Sequence, residues 1–255
     1  MGYFFTNRVN LGKMIFWDPW IGCTKISEAC EHCFYCPKFN GFSVGGTRKD
    51  IPEGLSRGTI ILTAFRSDFF IDFADAYRDA AWKAIKEHPE YIFVICTKRV
   101  QRIEACLPED WKDGYDNVVI AVTAENQRRV DERLPIFLKI PCKHKWIAAM
   151  PLLEPIDVEA YLEQGIEHVE VGGESAPAQQ VRQLNYDWVV NLADQCQRTN
   201  TRMSFMTVGN LFVMNDEIFT HCDSACYHSR KADSLKLDVP IPLNFMLAGK
   251  EFIIK

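Results

Sequence analysis

The chain lacks any apolar run near the roughly 20 residues that cross a bilayer as a helix, so no membrane-spanning helix is expected. Positive charge is also in short supply: 29 Lys and Arg against 34 Asp and Glu give a formal net charge of −5. That balance argues against a protein that coats nucleic acid by bulk electrostatics. A local basic groove is compatible with it, and Lys139, Lys143, His144 and Lys145 form one small candidate; the plainer alternative is a solvated loop before a strand. Residues 1–8, MGYFFTNR, do not have the charged-then-apolar order of a secretory signal. The expected location is therefore cytoplasmic, where clustered cysteines are better read as metal ligands than as a disulfide framework.

What is present is an ordinary globular composition, 47% hydrophobic and 25% charged over 255 residues. That length makes one large domain or two small ones, with room for a full core. Apolar runs of strand length sit at 59–64 (TIILTA), 91–97 (YIFVICT), 117–123 (NVVIAVT), 144–150 (HKWIAAM), 168–172 (HVEVG) and 202–208 (RMSFMTV), with an earlier one near 13–17. They are nearly continuous in Val, Ile and Phe, as strands buried on both faces are. Amphipathic stretches at 71–87, 99–106, 125–138, 158–164 and 186–198 separate them. Strand–helix alternation of this kind predicts an α/β fold with a parallel sheet and crossover helices. Seven units suit a parallel (β/α) barrel, partial or nearly closed, over residues 1–210, with 211–255 as an extension packing on it. A doubly wound sheet is the alternative.

Ten cysteines occur in the chain, and Cys23, Cys30, Cys33 and Cys36 crowd one polar loop beside Glu31, His32 and Lys38. Thiols that serve only as small core hydrophobes have no reason to bunch there. Spacings of two aim several thiolates at one point, as tetrahedral zinc or an iron–sulfur cluster requires. A ferredoxin-like run can also be read from Cys30 to Pro37. In the tail, His221, Cys222, Cys226 and His228 have metal-ligand chemistry, but a helical turn with two thiols on one face explains Cys222 and Cys226 equally. Cys96, Cys106, Cys142 and Cys196 lie among apolar neighbours and read as core thiols.

In a barrel of parallel strands, chemistry collects in the loops after the strands. There this chain carries Arg66, Ser67 and Asp68; Thr97, Lys98 and Arg99; Thr123, Glu125, Asn126 and Gln127; and Gly172, Gly173, Glu174 and Ser175. Taken singly each has a bland explanation: Glu125 as a helix-capping acid, Asp68 as a turn residue, the glycine pair as a tight turn. Together they furnish one rim with carboxylates, cations and sulfur.

The segment with Cys23, Cys30, Cys33 and the following Phe34 resembles the Cys-x6-Cys-x2-Cys-aromatic signature of the phage Gp37/Gp68 family. The resemblance continues through Ser67 and Asp68, Thr97 to Arg99, VTAENQ from Val122, DER from Asp131, PLL from Pro151, VGGES from Val171, DQC from Asp194 and LAGKEF from Leu247. It implies a radical-S-adenosylmethionine (radical SAM)-like, TIM-barrel-like fold with unusual cysteine spacing. It further implies a [4Fe-4S] cluster on Cys23, Cys30 and Cys33, and S-adenosyl-L-methionine (SAM) on the open iron. One electron would then cleave SAM to a 5′-deoxyadenosyl radical that abstracts hydrogen from substrate. A nucleoside, nucleotide or nucleic-acid base is the implied substrate class, and a reductase or flavodoxin-type protein the electron donor. Cys36 remains open as a third or fourth ligand, since the usual Cys-x3-Cys-x-aromatic-Cys spacing is only half present, at Cys33 to Cys36.

The Gly-Gly-Glu of radical-SAM enzymes usually follows the second strand, whereas this one follows the sixth. Ser67 and Asp68 are therefore the expected ammonium site, and Gly172, Gly173 and Glu174 the expected site for adenosine or substrate. Two departures stand out: Met150 and Met206 occupy positions where the family carries Glu and Lys. They imply a less polar substrate or a member that no longer catalyses, in which case the chain is a non-catalytic metal-binding barrel, with zinc or a cluster as its staple.

Overall fold

The computed structural model describes residues 14–33, 43–44, 50–175, 181–220 and 225–255. Seven strands form the central sheet: β1 (Met14–Trp17), β2 (Ile60–Thr63), β3 (Ile92–Thr97), β4 (Val118–Thr123), β5 (His144–Ala149), β6 (His168–Gly172) and β7 (Arg202–Thr207). They are hydrogen-bonded in chain order and every neighbouring pair is parallel. A doubly wound sheet would reverse its order part-way, so that alternative is excluded. Right-handed crossovers between consecutive strands place the connecting segments on one face. The sheet curls as a partial barrel whose edges are β1 and β7.

The helices are α1 (Asp75–Glu87), α2 (Gln127–Phe137), the short α3 (Glu159–Leu162), α4 (Tyr186–Arg198) and α5 (Ala225–Leu235). Asn126 and Asn185 start α2 and α4, each accepting a bond from the backbone N–H two or three residues on (both 2.9 Å). Glu125 is thus not the capping acid. The expected helix at 99–106 is instead two tight 3-10 turns, Val100–Arg102 and Glu104–Cys106. Pro108 follows so closely that no longer helix fits, and tight turns serve in such short pieces.

Alternation along the strands sorts side chains between two cores. Ile61, Phe93, Ile95, Ile120, Val122, Ile147 and Phe205 meet Trp82, Leu134, Phe137 and Leu192 of the helices. Met14, Leu62, Val94, Val119, Ala121, Trp146 and Met206 face the concave interior. Residues beyond 210 belong to both layers. β8 (Leu211–Met214) and β9 (Glu217–Thr220) form a hairpin, and α5 packs on β7.

The last hairpin, β10 (Leu243–Leu247) and β11 (Lys250–Ile254), inserts Leu243, Phe245, Leu247 and Ile254 into the concave core. Its contacts all fall at strand starts. Phe245 packs on His144 with ring centres 4.3 Å apart, Ala248 N–H donates to Pro89 O (3.0 Å), and Arg202 donates to Ile241 O (2.6 Å) and Lys255 O (3.1 Å). The hairpin floors the barrel at its N-terminal end and leaves the C-terminal end as the mouth.

Phe245 is buried, so truncation leaves a cavity that the floor cannot collapse into. Phe245→Ala should lower stability by about 3–5 kcal/mol, read as a reduced urea midpoint at unchanged slope. A change within about 0.5 kcal/mol would mean the hairpin is a dispensable flap.

Candidate functional site

The described part of the cysteine loop, as far as Cys33, lies at the mouth and is held there from four strand ends. After β2, Arg66 donates to Asp18 through its backbone N–H (3.0 Å) and Nε (2.9 Å), and Ser67 Oγ donates to Gly22 O. After β3, Arg99 donates from Nη2 to Thr24 O (3.1 Å) and Oγ1 (2.7 Å), while Nη1 lies 3.8 Å from Cys23 Sγ. After β4, at the start of α2, Arg128 and Arg129 pair with Glu28 at 2.5 and 3.0 Å. After β6, Glu174 pairs with His32 Nδ1 at 3.0 Å.

Behind these clamps stand two buried carboxylates. Asp68 accepts from Phe70 N–H (3.0 Å), Thr97 Oγ1 (2.7 Å), Lys98 N–H (3.0 Å) and Arg99 Nη1 (2.9 Å). Glu125 pairs with Arg133 Nη1 at 2.6 Å. Burial alone would raise its pKa, but Lys98, Arg133 and a bond from Ser27 of the cysteine loop outweigh it and hold the carboxyl down at about 2.

Cys23, Cys30 and Cys33 are all free thiols. For Cys23, burial outweighs the neighbouring Arg99 and pushes the thiol up. For Cys30, burial is overcome by Lys98 and by backbone and hydroxyl donors at Ile26 and Ser27, which hold the thiol below its ordinary value. Cys33 lines the cavity below the loop. Among the described residues no three His, Cys, Asp or Glu side chains converge closely enough to hold a single metal ion. A tetrahedral zinc, with Zn–S near 2.3 Å, needs such convergence; a four-iron cluster accepts thiolates set wider apart. Three free thiols on one loop, one held toward thiolate and one facing the cavity, suit cluster ligation. Cys36, His221 and Cys222 lie outside the described residues, as does the side chain of Cys226.

The cavity measures about 250 Å³ and occupies the mouth of the barrel. Met150 and Met206 both line it. So do Lys98, Glu170 and His228, and also Cys96, which is therefore a wall thiol rather than a core one; burial drives its pKa up to about 12.

Residues 13–238 match the family described as a protein of unknown function, DUF5131. The chain belongs to that family. No curated protein and no solved structure matches it. In this DUF5131 chain the matched span contains the cysteine loop, all seven sheet strands and the cavity wall, whereas the flooring hairpin lies beyond it.

Gly172 and Gly173 have a packing reason to be glycine. A Cβ on Gly173 would sit 2.3 Å from Val208 O, and one on Gly172 2.8 Å from Thr207 Cγ2. The pair lets the ends of β6 and β7 approach, and Gly173 N–H donates to Thr207 O (2.9 Å). Glu174 is occupied by His32 and by Arg182, whose backbone N–H donates at 2.8 Å and whose guanidinium pairs with Oε1. The candidate basic groove has its cations engaged, in line with the plainer alternative: Lys143 pairs with Asp116 (2.8 Å), His144 with Glu167 (3.0 Å), and Lys145 Nζ donates to Leu138 O (3.0 Å).

Sequence reasoning placed Glu170 in a strand and Arg133 in a matched segment but gave neither a role at the site. Glu170 carried a signal, being the one acid within the apolar run HVEVG, on the inward-facing register between His168 and Gly172. Arg133 sits eight residues from Glu125 and gives no such signal, since only the turn from β4 into α2 brings them together.

Glu125 makes stability depend on pH. Its folded pKa lies below the ordinary 4.5, so its contribution is present above that value and is lost as pH falls toward about 2. Urea unfolding of wild type and Glu125→Gln should differ most above pH 5, with the gap closing between pH ~4.5 and ~2. A gap independent of pH would show that Glu125 is not ionised in the fold.

Proposed function

We propose that this DUF5131 chain is an iron–sulfur, SAM-dependent radical enzyme of the phage Gp37/Gp68 type. The main support is placement: Cys23, Cys30 and Cys33 lie on a loop clamped at the C-terminal mouth of a parallel partial barrel, with Cys33 on the cavity wall. That rim is where barrels of this class carry out chemistry. When bound, a cluster on these thiols supplies the electron that cleaves SAM reductively, giving the radical that takes hydrogen from substrate. The chain's own part is to hold the loop, favour the Cys30 thiolate and keep a closed-floored, largely apolar chamber beneath it.

One observation favours a second function, a metal-binding barrel without catalysis. Asp68 and Glu174, the acids expected to receive SAM, already have their oxygens occupied by donors of the chain itself. Ser67 likewise donates to Gly22 O. On either function SAM would have to rely on other groups of the rim.

Anaerobic purification separates the two. The radical enzyme should be brown with iron bound, and Cys23→Ala, Cys30→Ala and Cys33→Ala should each lose that iron, whereas Cys36→Ala keeps it. Reduction with dithionite in the presence of SAM should yield 5′-deoxyadenosine above a Cys30→Ala control. Colourless protein with stoichiometric zinc, or a loaded cluster that yields no 5′-deoxyadenosine and binds no SAM by calorimetry, would establish the non-catalytic alternative.

A further inference from the structure

We propose that the mouth cavity binds a small organic monoacid, an apolar body carrying one carboxylate, with the Lys98 ammonium as the group that receives the acid. Its walls are built largely from Met14, Phe16, Leu62, Phe65, Met150 and Met206. These side chains carry no strong donor or acceptor, although Glu170, Ser175, Thr207 and Ser229 also line the chamber. Thioethers and phenyl rings instead adapt to aliphatic or aromatic groups. At about 250 Å³ the chamber lies just under the ~300–1,000 Å³ usual for small-molecule pockets, which suits a compact body.

The anion follows from Lys98. It is the single Lys or Arg on the wall among the described residues. Its backbone N–H serves Asp68, but its ammonium makes no ion pair or hydrogen bond with the described residues. The carboxylate that acts on it most strongly, Glu125, is bonded to Arg133. Glu125 and Cys30 favour the charged form but no described residue bonds the ammonium, which leaves its N–H donors for a ligand carboxylate. The charge should be single: the wall offers one cation among the described residues, enough for one carboxylate and too little for a dianion such as a phosphate ester. That this acid is the substrate rests on the radical-enzyme proposal; that it binds does not.

The test is calorimetry on the full chain, purified anaerobically with whatever metal it carries, using phenylacetate and hexanoate against phenylacetamide and hexanamide, with thymidine and adenosine alongside. At least one acid should bind about tenfold tighter than its amide, the size of one charge-assisted hydrogen bond. Lys98→Met, compared with wild type at matched iron content, should erase that preference, and Ala148→Leu, which fills the chamber, should weaken acid and amide together. Equal binding of acid and amide by the wild-type protein, or tighter binding of a nucleoside, overturns the proposal without any variant. Retention of the acid preference in Lys98→Met also overturns it. Acid binding without 5′-deoxyadenosine formation sinks only the radical enzyme, and 5′-deoxyadenosine without acid binding sinks only the monoacid.

Discussion

Asp68 is buried at the end of β2 and accepts four hydrogen bonds, which fills the roughly four lone-pair positions of a carboxylate. Two of its donors, Thr97 and Lys98, fix the end of β3, and a third is the guanidinium of Arg99. Arg99 uses its other nitrogen on Thr24, one residue past Cys23. A planar fork is what allows one side chain to hold a strand end and a loop at once, and lysine has no equivalent geometry. Hydrophobic contact is non-directional and could keep the loop near the barrel without fixing where its thiols stand. The position of the cysteines therefore depends on this charge chain more than on the core beneath it.

The two ends of the barrel have different tasks. At the floor, strand starts and the hairpin of β10 and β11 are joined by Phe245, Arg202 and Arg57, whose Nη2 donates to Leu247 O (3.2 Å) and Lys250 O (2.6 Å). At the mouth, rim groups are paired across loops, Asp18 with Arg66, Glu28 with Arg129, Glu174 with His32. Pairing of this kind turns the polar rim into a frame and leaves the interior to methionine and phenylalanine. Met150 and Met206 continue the same trend, since each adds a flexible apolar surface where a charge would have demanded a partner.

The strands were legible because burial on both faces writes them as continuous apolar runs: 91–97 became Ile92–Thr97 and 202–208 became Arg202–Thr207. Helix α4 was legible for the converse reason, its 3.6-residue pattern being bounded by Asn185 before and Thr199 after. The segment at 99–106 misled because its spacing is helical while Pro108 leaves no length for a helix. The cysteine loop and the rim residues were legible as types at the right strand ends. Their partners were not, because pairs such as Glu28 with Arg129 or His32 with Glu174 join residues over a hundred positions apart. The packing need for Gly172 and Gly173 was hidden for the same reason: the clashing atoms belong to Thr207 and Val208, across the sheet.

The clamps also bear on why thiols should be gathered at the mouth. A structural metal contributes most where a segment has too few contacts to hold itself, as in small domains that fold only with zinc. This loop is in the opposite position. It is fixed by Arg66, Ser67, Arg99, Arg129 and Glu174, and Trp20 packs on Phe69 with its indole N–H 3.4 Å from Asp68 O. Ligation would add little to residues 18–33, which ion pairs and a buried tryptophan already hold. A staple also gains nothing from facing Cys33 into a chamber or from setting Lys98 beside Cys30. Both features accord with the proposal that a cluster on these thiols meets a substrate inside the barrel.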